Sequence, residues 1–165
     1  MTEWESFVNT WQREFQTTIK VLRNFPAGLM DFKPHEKSRT AAHLAEGFIV
    51  EEDFLLEILK GQLDFSKLQY TSPATWDAIL KKYEERHAQV VEEAKALGES
   101  EFNKSMLFPT ASGKMEERRR GDLGWLMLYD FIHHRGQFSV YLRMVGAKVP
   151  SIYGPSLDEP WPVPK

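Results

Sequence analysis

The chain has 165 residues, no cysteine and a formal net charge of −3, with 42% hydrophobic and 27% charged residues. These values predict one compact domain, residues 1–165, and exclude a disordered chain, disulfides, thiolate nucleophiles and thiolate metal ligands. The slight negative charge argues against a nucleic-acid binder that depends on bulk positive charge. The sequence starts without a signal-peptide pattern, and no window approaches the roughly 18 apolar residues of a membrane span. We therefore expect a soluble, cytoplasmic protein.

Four segments carry apolar residues at steps of three and four, which predicts four amphipathic helices. The first covers residues 4–22 and ends in the segment 24–28, which contains a proline and a glycine. The second covers residues 38–60, with Ser38 as its N-cap and Gly61 as its end. Both helices thus have a recognisable apolar face and recognisable ends.

The third predicted helix begins near Ser72 or Thr75 and ends at Gly98, and the fourth covers residues 121–145. A helix of about 22 residues is roughly 33 Å long. The connection 61–74 can span that length if it is extended. The second and third helices can therefore lie parallel, joined by a crossover, as well as antiparallel in a hairpin.

Two further segments complete the predicted architecture. The connection 99–120 is long for a helical bundle and has the composition of a short hairpin. The tail 148–165 contains five of the 9 prolines and predicts an irregular segment packed on the surface. Four amphipathic helices of similar length favour an all-α four-helix bundle with a crossover connection and an irregular C-terminal tail.

The fourth predicted helix carries the sequence YDFIHHRGQ at residues 129–137. Residues four apart share one face of a helix, so Asp130 and His134 can bind the same ion. Carboxylates and imidazoles are ordinary ligands of zinc, nickel and iron. His43, on the inward side of the second helix, is the leading candidate for a third ligand, and such a set leaves coordination positions open for water or substrate. The alternative is a surface pair of histidines, His133 and His134, beside an exposed aspartate.

The residues of this motif resemble a known family. The stretch 130–146, DFIHHRGQFSVYLRMVG, is similar to the signature H-x-x-x-H-R-G-Q on the last helix of the DinB/YfiT-like family. The stretch 39–52, RTAAHLAEGFIVEE, resembles the second helix of that family, which supplies one histidine. The stretch 150–159, PSIYGPSLDE, is similar to the tail of one branch. The resemblance covers nearly the whole chain in order and implies a metal-binding four-helix bundle.

The resemblance also implies a ligand set. The family has three ligands, usually all histidines, with one on the second helix and two on the fourth at positions i and i+4. Matched residue by residue, these are His43, Asp130 and His134. Asp130 stands where the family usually has histidine. A carboxylate there either shifts the metal preference towards harder ions such as iron or manganese, or marks a degenerate site.

In function, the resemblance implies a hydrolase or a low-molecular-weight-thiol transferase that depends on a divalent ion (zinc, nickel, iron or manganese). The ion would activate water or lower the pKa of a thiol cosubstrate. A cosubstrate thiol suits a chain without cysteine. We expect a small-molecule substrate, no nucleic-acid or membrane partner, and a homodimer. The alternatives are a non-catalytic bundle that binds a small ligand or a stress-related partner, and a di-iron protein, which the absence of glutamate near HHRGQ disfavours.

Five further residues are candidates for the surroundings of the metal or the wall of a pocket. Glu46 shares a face of the second helix with the predicted ligand, and an ion pair at the edge of the bundle is the alternative. His87 lies on the apolar stripe of the third helix, where a hydrogen-bonded core histidine is the ordinary interpretation. Trp125, Tyr129 and His133 flank the predicted ligands of the fourth helix, and core or rim positions are their alternatives.

Overall fold

Four long helices and one hairpin form the fold in the computed structural model, which describes residues 1–68, 70 and 73–162. The predicted start of the third helix at Ser72 and the last three residues of the tail lie outside the described residues. The elements in chain order are α1 (Glu3–Arg23), α2 (Ala41–Lys60), α3 (Trp76–Phe102), β1 (Ser105–Pro109), β2 (Met115–Arg119) and α4 (Arg120–Met144).

The ends of α2 and α3 follow from their capping residues. Thr40, and not the predicted Ser38, is the N-cap of α2, because its side chain accepts a hydrogen bond from the backbone nitrogen of His43 at 3.1 Å. The helix ends as predicted at Gly61, whose φ of 70° is easily adopted only by glycine. Thr75 caps α3 in the same way, which fixes the beginning of that helix.

The predicted end of the third helix at Gly98 coincides with a break in the helical backbone, but α3 continues beyond it. Gly98 has φ 72° and ψ −177°, which kinks the chain, but a further helical turn follows and ends at Phe102. The ring of Phe102 is fully buried and lies 5.1 Å from the ring of Trp4 and 5.2 Å from that of Phe7. Packing of this one aromatic side chain therefore extends α3 beyond its glycine.

The all-α prediction holds only approximately, because the described residues include a two-stranded antiparallel sheet. Ser105 lies opposite Arg119 and Pro109 opposite Met115. The sheet lies within the long connection 99–120, where the sequence indicated a hairpin. Backbone groups in a connection of this length need hydrogen-bond partners, and strand pairing supplies them.

The helices α2 and α3 run parallel to each other. Near their beginnings, the rings of Phe48 and Tyr83 are 6.0 Å apart. Further along both helices, Lys60 forms an ion pair with Glu93 at 2.8 Å. The end of α2 and the beginning of α3 therefore lie at opposite ends of the bundle, and this is the first of the two arrangements that the sequence allowed.

The helix α4 runs antiparallel to α2. At the beginning of α4, Arg120 donates a hydrogen bond to the backbone oxygen of Leu59 at 2.9 Å. At the end of α4, the hydroxyl of Tyr141 donates to the backbone oxygen of Arg39 at 2.9 Å. This arrangement brings the middle of α2 against the middle of α4, where the HHRGQ sequence lies.

The C-terminal segment 148–162 packs along the bundle without regular secondary structure. Glu159 pairs with Lys20 of α1 at 2.6 Å, and Asp158 pairs with Arg143 of α4 at 2.7 Å. In the described part of the chain, no helix combines the length and the apolarity that a membrane span requires.

Candidate metal centre

Glu51 of α2 meets Asp130 and His134 of α4 in the middle of the bundle. One ligand atom from each of these side chains can be chosen so that all three lie within 4.8 Å of one another. Nδ1 of His134 hydrogen-bonds to Oε1 of Glu51 and lies 3.9 Å from Oδ2 of Asp130. Glu51 is buried, His134 is half-buried and Asp130 is exposed, so the group opens towards solvent on the α4 side.

The helical register explains why Glu51 points inward. Along α2, Leu44, Phe48 and Leu55 are buried at the spacing of one helix face. Glu51 and its neighbour Glu52 occupy the turn between Phe48 and Leu55 on that same face, and both are buried. An acidic pair at an apolar register position is costly unless a partner compensates it. The sequence therefore contained a signal for Glu51, which our list of candidate ligands missed.

Burial and hydrogen bonding perturb both members of the Glu51–His134 pair. Burial raises the pKa of Glu51 from 4.5 to about 7, against the opposing effect of its hydrogen bond with His134. That hydrogen bond in turn raises the pKa of His134. Within the described residues, Oε2 of Glu51 is buried and has no hydrogen-bond partner. A buried carboxylate oxygen without a partner is suited to coordinate a cation.

The donor set of the group fits a divalent ion. It offers carboxylate oxygens from Glu51 and Asp130 and one imidazole nitrogen from His134. Oxygen-rich sets with one imidazole suit iron and manganese, and zinc also accepts these ligands. Three protein ligands leave coordination positions open, which is the arrangement of catalytic rather than structural sites.

His43, the predicted ligand of the second helix, does not belong to this group. Its side chain is exposed, and its ring centroid lies 4.4 Å from that of Tyr70. His43 precedes Glu51 by eight residues, about 12 Å along the helix axis. The structure therefore brings together two of the three predicted ligands and adds Glu51 in the position of the third.

His87, a candidate for the surroundings of the metal, is a core residue. Its Nδ1 lies 2.7 Å from Oε1 of the fully buried Glu52, whose other oxygen accepts a hydrogen bond from Trp11 at 2.9 Å. The ring of His87 also stacks on Phe15, with the centroids 3.7 Å apart and the planes at 2°. Glu52 and His87 thus compensate each other in the core. Glu52 adjoins Glu51 in sequence, but its carboxylate contacts His87 and Trp11 and is not one of the candidate ligands.

The other predicted neighbours lie around the group rather than in it. Glu46 is buried on α2, but its five-residue separation from Glu51 turns it about 140° around the helix axis. His133 is exposed and has its Nε2 2.7 Å from Nε2 of Gln137 on its own helix. Trp125 donates to Glu3 at 3.0 Å near the beginning of α4. Tyr129 is exposed and lines an apolar groove with the hairpin.

Arg135, next to His134, fixes α4 against α1 and the C-terminal segment. Its guanidinium is almost fully buried and forms an ion pair with Glu14 at 2.7 Å. It also donates to the hydroxyls of Thr18 and Tyr153, and the hydroxyl of Tyr153 donates to Glu14. A buried arginine with several partners sets the rotation of its helix, so Arg135 orients the face that carries Asp130 and His134.

His134 is also reached from outside through a groove of about 510 Å³ between the beginning of α2 and the second half of α4. A groove of this size is within the range of small-molecule sites. Both polar and apolar side chains line this groove. The residues that line it are Ser38, Arg39, Leu44, His134, Gln137, Val140 and Tyr141.

Comparisons with known proteins agree with the sequence and the fold. A family model described as DinB family matches residues 1–162. The structure of a DinB-like protein from Bacillus cereus superposes with a TM-score of 0.75 at 19% identity, covering 90% of this chain and 97% of the other. A DinB-like protein from Bacillus subtilis gives 0.68 at 19% identity, with 87% and 93% covered. No curated protein matches the sequence. The predicted resemblance is confirmed, and the chain belongs to the DinB family.

Proposed function

We propose that this protein is a divalent-metal-dependent enzyme, a hydrolase or a low-molecular-weight-thiol transferase, with Glu51, Asp130 and His134 as the metal ligands. The observation that carries the proposal is the buried Oε2 of Glu51 beside the imidazole of His134; this oxygen finds no hydrogen-bond partner among the residues that the structure describes. An ion bound there supplies a Lewis acid that activates water or lowers the pKa of a thiol. Zinc, nickel, iron and manganese are the candidates, and the two carboxylates favour iron or manganese.

The protein's own residues would have separate tasks at such a site. Glu51 is held by α2 inside the bundle and supplies a ligand that the packing has already oriented. His134 supplies the ligand that faces the groove, where a substrate can approach. Asp130 lies on the open side, with its side chain 47% exposed, and can accept a proton from solvent or substrate when it is not coordinating.

The two reaction classes differ in the nucleophile. The chain contains no cysteine, so a transferred thiol must come from a cosubstrate that enters the groove. A hydrolase would instead use water. The two are distinguished by assaying the metal-loaded protein with p-nitrophenyl esters and with a small thiol plus a fluorogenic electrophile, in each case beside the His134→Gln variant.

A non-catalytic bundle with a degenerate metal site is the second candidate. The hydrogen bond between Glu51 and His134 favours it, because the two side chains already satisfy each other in part without a metal. In that case the groove would bind a small ligand without turnover. The two candidates differ in metal content, which is therefore the first measurement.

The test is metal content by plasma mass spectrometry on untagged protein after incubation with each of the four metals. We expect about one ion per chain in the wild type and loss of the ion in Glu51→Gln, Asp130→Asn and His134→Gln. Two matched histidine controls, His43→Ala and His133→Ala, should keep the ion. Loss of the ion in His43→Ala together with retention of the ion in Glu51→Gln would show that His43, and not Glu51, is the third ligand. Absence of metal from the wild type would favour the degenerate site.

A further inference from the structure

Among the described residues, Arg39 differs from the other arginines in having no carboxylate partner. Eight of the nine arginines form an ion pair with a carboxylate. Within residues 1–68, 70 and 73–162, the guanidinium of Arg39 has neither an ion pair nor a hydrogen bond, although it is exposed at the edge of the groove. A cation in such a position is available to a ligand.

The backbone of Arg39 is held in place by α4, and its side chain reaches over α2. Its backbone oxygen accepts the hydrogen bond from Tyr141 of α4 at 2.9 Å. Its side chain extends over α2, where a Cβ built on Gly47 would lie 3.9 Å from Nη1 of Arg39 and 3.9 Å from the hydroxyl of Tyr70. Gly47 precedes Glu51 by one turn, about 6 Å along the axis. The guanidinium therefore lies over α2 at the level of Gly47, and Arg39 and His134 line the same groove.

The charge of Arg39 also acts on the candidate centre. Its electrostatic effect lowers the pKa of His134, against the larger opposing effects of Glu51 and Asp130. Arg39 and His134 both line the groove, so the two side chains face the same space. The groove between them contains the apolar side chains of Leu44 and Val140.

The beginning of α2 supplies no competing anion site. The backbone nitrogens of its first four residues are all engaged: Ala41 and Ala42 donate to the backbone oxygens of Phe32 and Met30, while His43 and Leu44 donate to the side chain and the backbone oxygen of Thr40. Among the described residues, the charged donor at this end of the groove is therefore the guanidinium of Arg39 and not the backbone of α2. Arginine binds carboxylates and phosphates with two parallel hydrogen bonds, which gives direction as well as charge.

We propose that Arg39 binds the anionic group of a small organic anion, a carboxylate or a phosphate ester, whose apolar part lies against the exposed Val140. If the anion is the substrate, this inference rests on the proposed metal-dependent function. The anionic group bound to Arg39 would then place the reacting group of the substrate at His134. Arg39 is a specificity-determining residue in this arrangement: a neutral analogue fits the same groove but loses the charge-assisted hydrogen bonds.

The test measures binding by amide chemical-shift changes in the ¹⁵N-labelled full-length chain. One sample is metal-free and the other is incubated with zinc, which is diamagnetic. The probes are hexanoate, its neutral counterpart hexanamide, and butyl phosphate. We expect at least one anion to bind about tenfold more tightly than hexanamide, a difference of about 1.4 kcal/mol, because only the anion forms charge-assisted hydrogen bonds with the guanidinium. The comparison of hexanoate with butyl phosphate identifies the anionic group.

Arg39→Gln should abolish this preference, and Arg39→Lys should retain part of it. Arg23→Gln, which removes an exposed arginine that pairs with Glu84 on the surface, is the matched control and should bind as the wild type does. Equal binding of the anions and hexanamide to the wild type, or equal loss in Arg39→Gln and Arg23→Gln, would overturn the proposal.

The same samples separate this inference from the proposed function. Arg39→Gln should keep the metal content of the wild type, since Arg39 is not a ligand. An anion preference that depends on Arg39 in a protein that binds no metal would support the anion site and contradict the enzyme. Metal binding without any anion preference would leave the metal site intact and overturn the role of Arg39.

Discussion

Glu51 and His134 reach each other from antiparallel helices and form a hydrogen bond. In the described part of the chain, the second carboxylate oxygen of Glu51 is buried there without a partner. Burial raises the pKa of Glu51 to about 7, and the hydrogen bond raises that of His134. Near neutral pH the metal-free pair therefore tends to hold a proton. A divalent ion would replace that proton, so metal binding and proton release are coupled at this site.

The first prediction is that the metal-free protein loses stability as the pH rises. The pKa of Glu51 is higher in the folded state than its ordinary value of 4.5, so the folded chain binds more protons than the unfolded chain between pH 4.5 and about 7. The raised pKa of His134 acts in the same direction, and its contribution is lost as the pH rises through the folded-state pKa. The unfolding free energy in urea should fall by up to about 3 kcal/mol over this interval.

Glu51→Gln is the variant that tests whether Glu51 causes this pH dependence of stability. Glutamine keeps the shape of the side chain but does not ionise, so the dependence of the unfolding free energy on pH should become much weaker. Glu36→Gln, at an exposed position, is the matched control and should keep the slope of the wild type. A wild type that gains stability over the same pH interval would contradict the pKa assignment for Glu51.

The second prediction concerns stabilisation by metal. Ligands must lose their protons to coordinate, so manganese or zinc should raise the midpoint of thermal unfolding more at pH 8 than at pH 6. At a free metal concentration of 100 times the dissociation constant, the gain is about 2.7 kcal/mol. Calorimetry with and without EDTA measures it. Asp130→Asn should show little gain at either pH, whereas an equal gain in Asp130→Asn and the wild type would place the ion elsewhere.

The sequence predicts those features of the structure that depend on neighbours in the chain, and it misses those that depend on contacts between helices. Apolar periodicity and capping residues predict the four helices, because these signals are local. The extension of α3 past Gly98 was missed, because it depends on the packing of Phe102 against rings of α1. Asp130 and His134 share a helix, and their spacing indicates a common face. The local pattern marks Glu51 as an acidic residue on the apolar face of α2, but its meeting with Asp130 and His134 depends on the antiparallel packing of α2 on α4.

The third prediction concerns Arg135, which orients α4. Removal of one member of a buried ion pair leaves the other charge without a partner, so Arg135→Ala should reduce the unfolding free energy by about 3–5 kcal/mol. Tyr153→Phe removes only the hydroxyl that bridges Arg135 and Glu14 and should cost about 1–2 kcal/mol. Denaturant unfolding measures both changes. A cost for Arg135→Ala near that of an exposed arginine variant such as Arg23→Gln would contradict the orienting role.

The fourth prediction separates His87 from the metal centre. His87→Phe keeps the stack on Phe15 but leaves the buried carboxylate of Glu52 with only Trp11 as its hydrogen-bond donor among the contacts described above. We expect a loss of about 2–4 kcal/mol in unfolding free energy. Glu52→Gln, which keeps an acceptor for Trp11, should cost less. The metal content should stay at the wild-type value in His87→Phe at temperatures where it is folded, and loss of the ion from folded protein would make His87 part of the centre.

The fifth prediction compares two glycines of α4. A Cβ at Gly136 meets no atom within 4 Å, so Gly136→Ala should gain up to about 1 kcal/mol from the better helix propensity of alanine. A Cβ at Gly121 would lie 2.7 Å from the buried ring of Phe102, so Gly121→Ala should lose about 1–3 kcal/mol. Urea unfolding measures both, with the molecular mass followed by light scattering. Because the free space at Gly136 refers to a single chain, a loss of stability in Gly136→Ala together with a fall in mass would show that a second chain covers this face of α4.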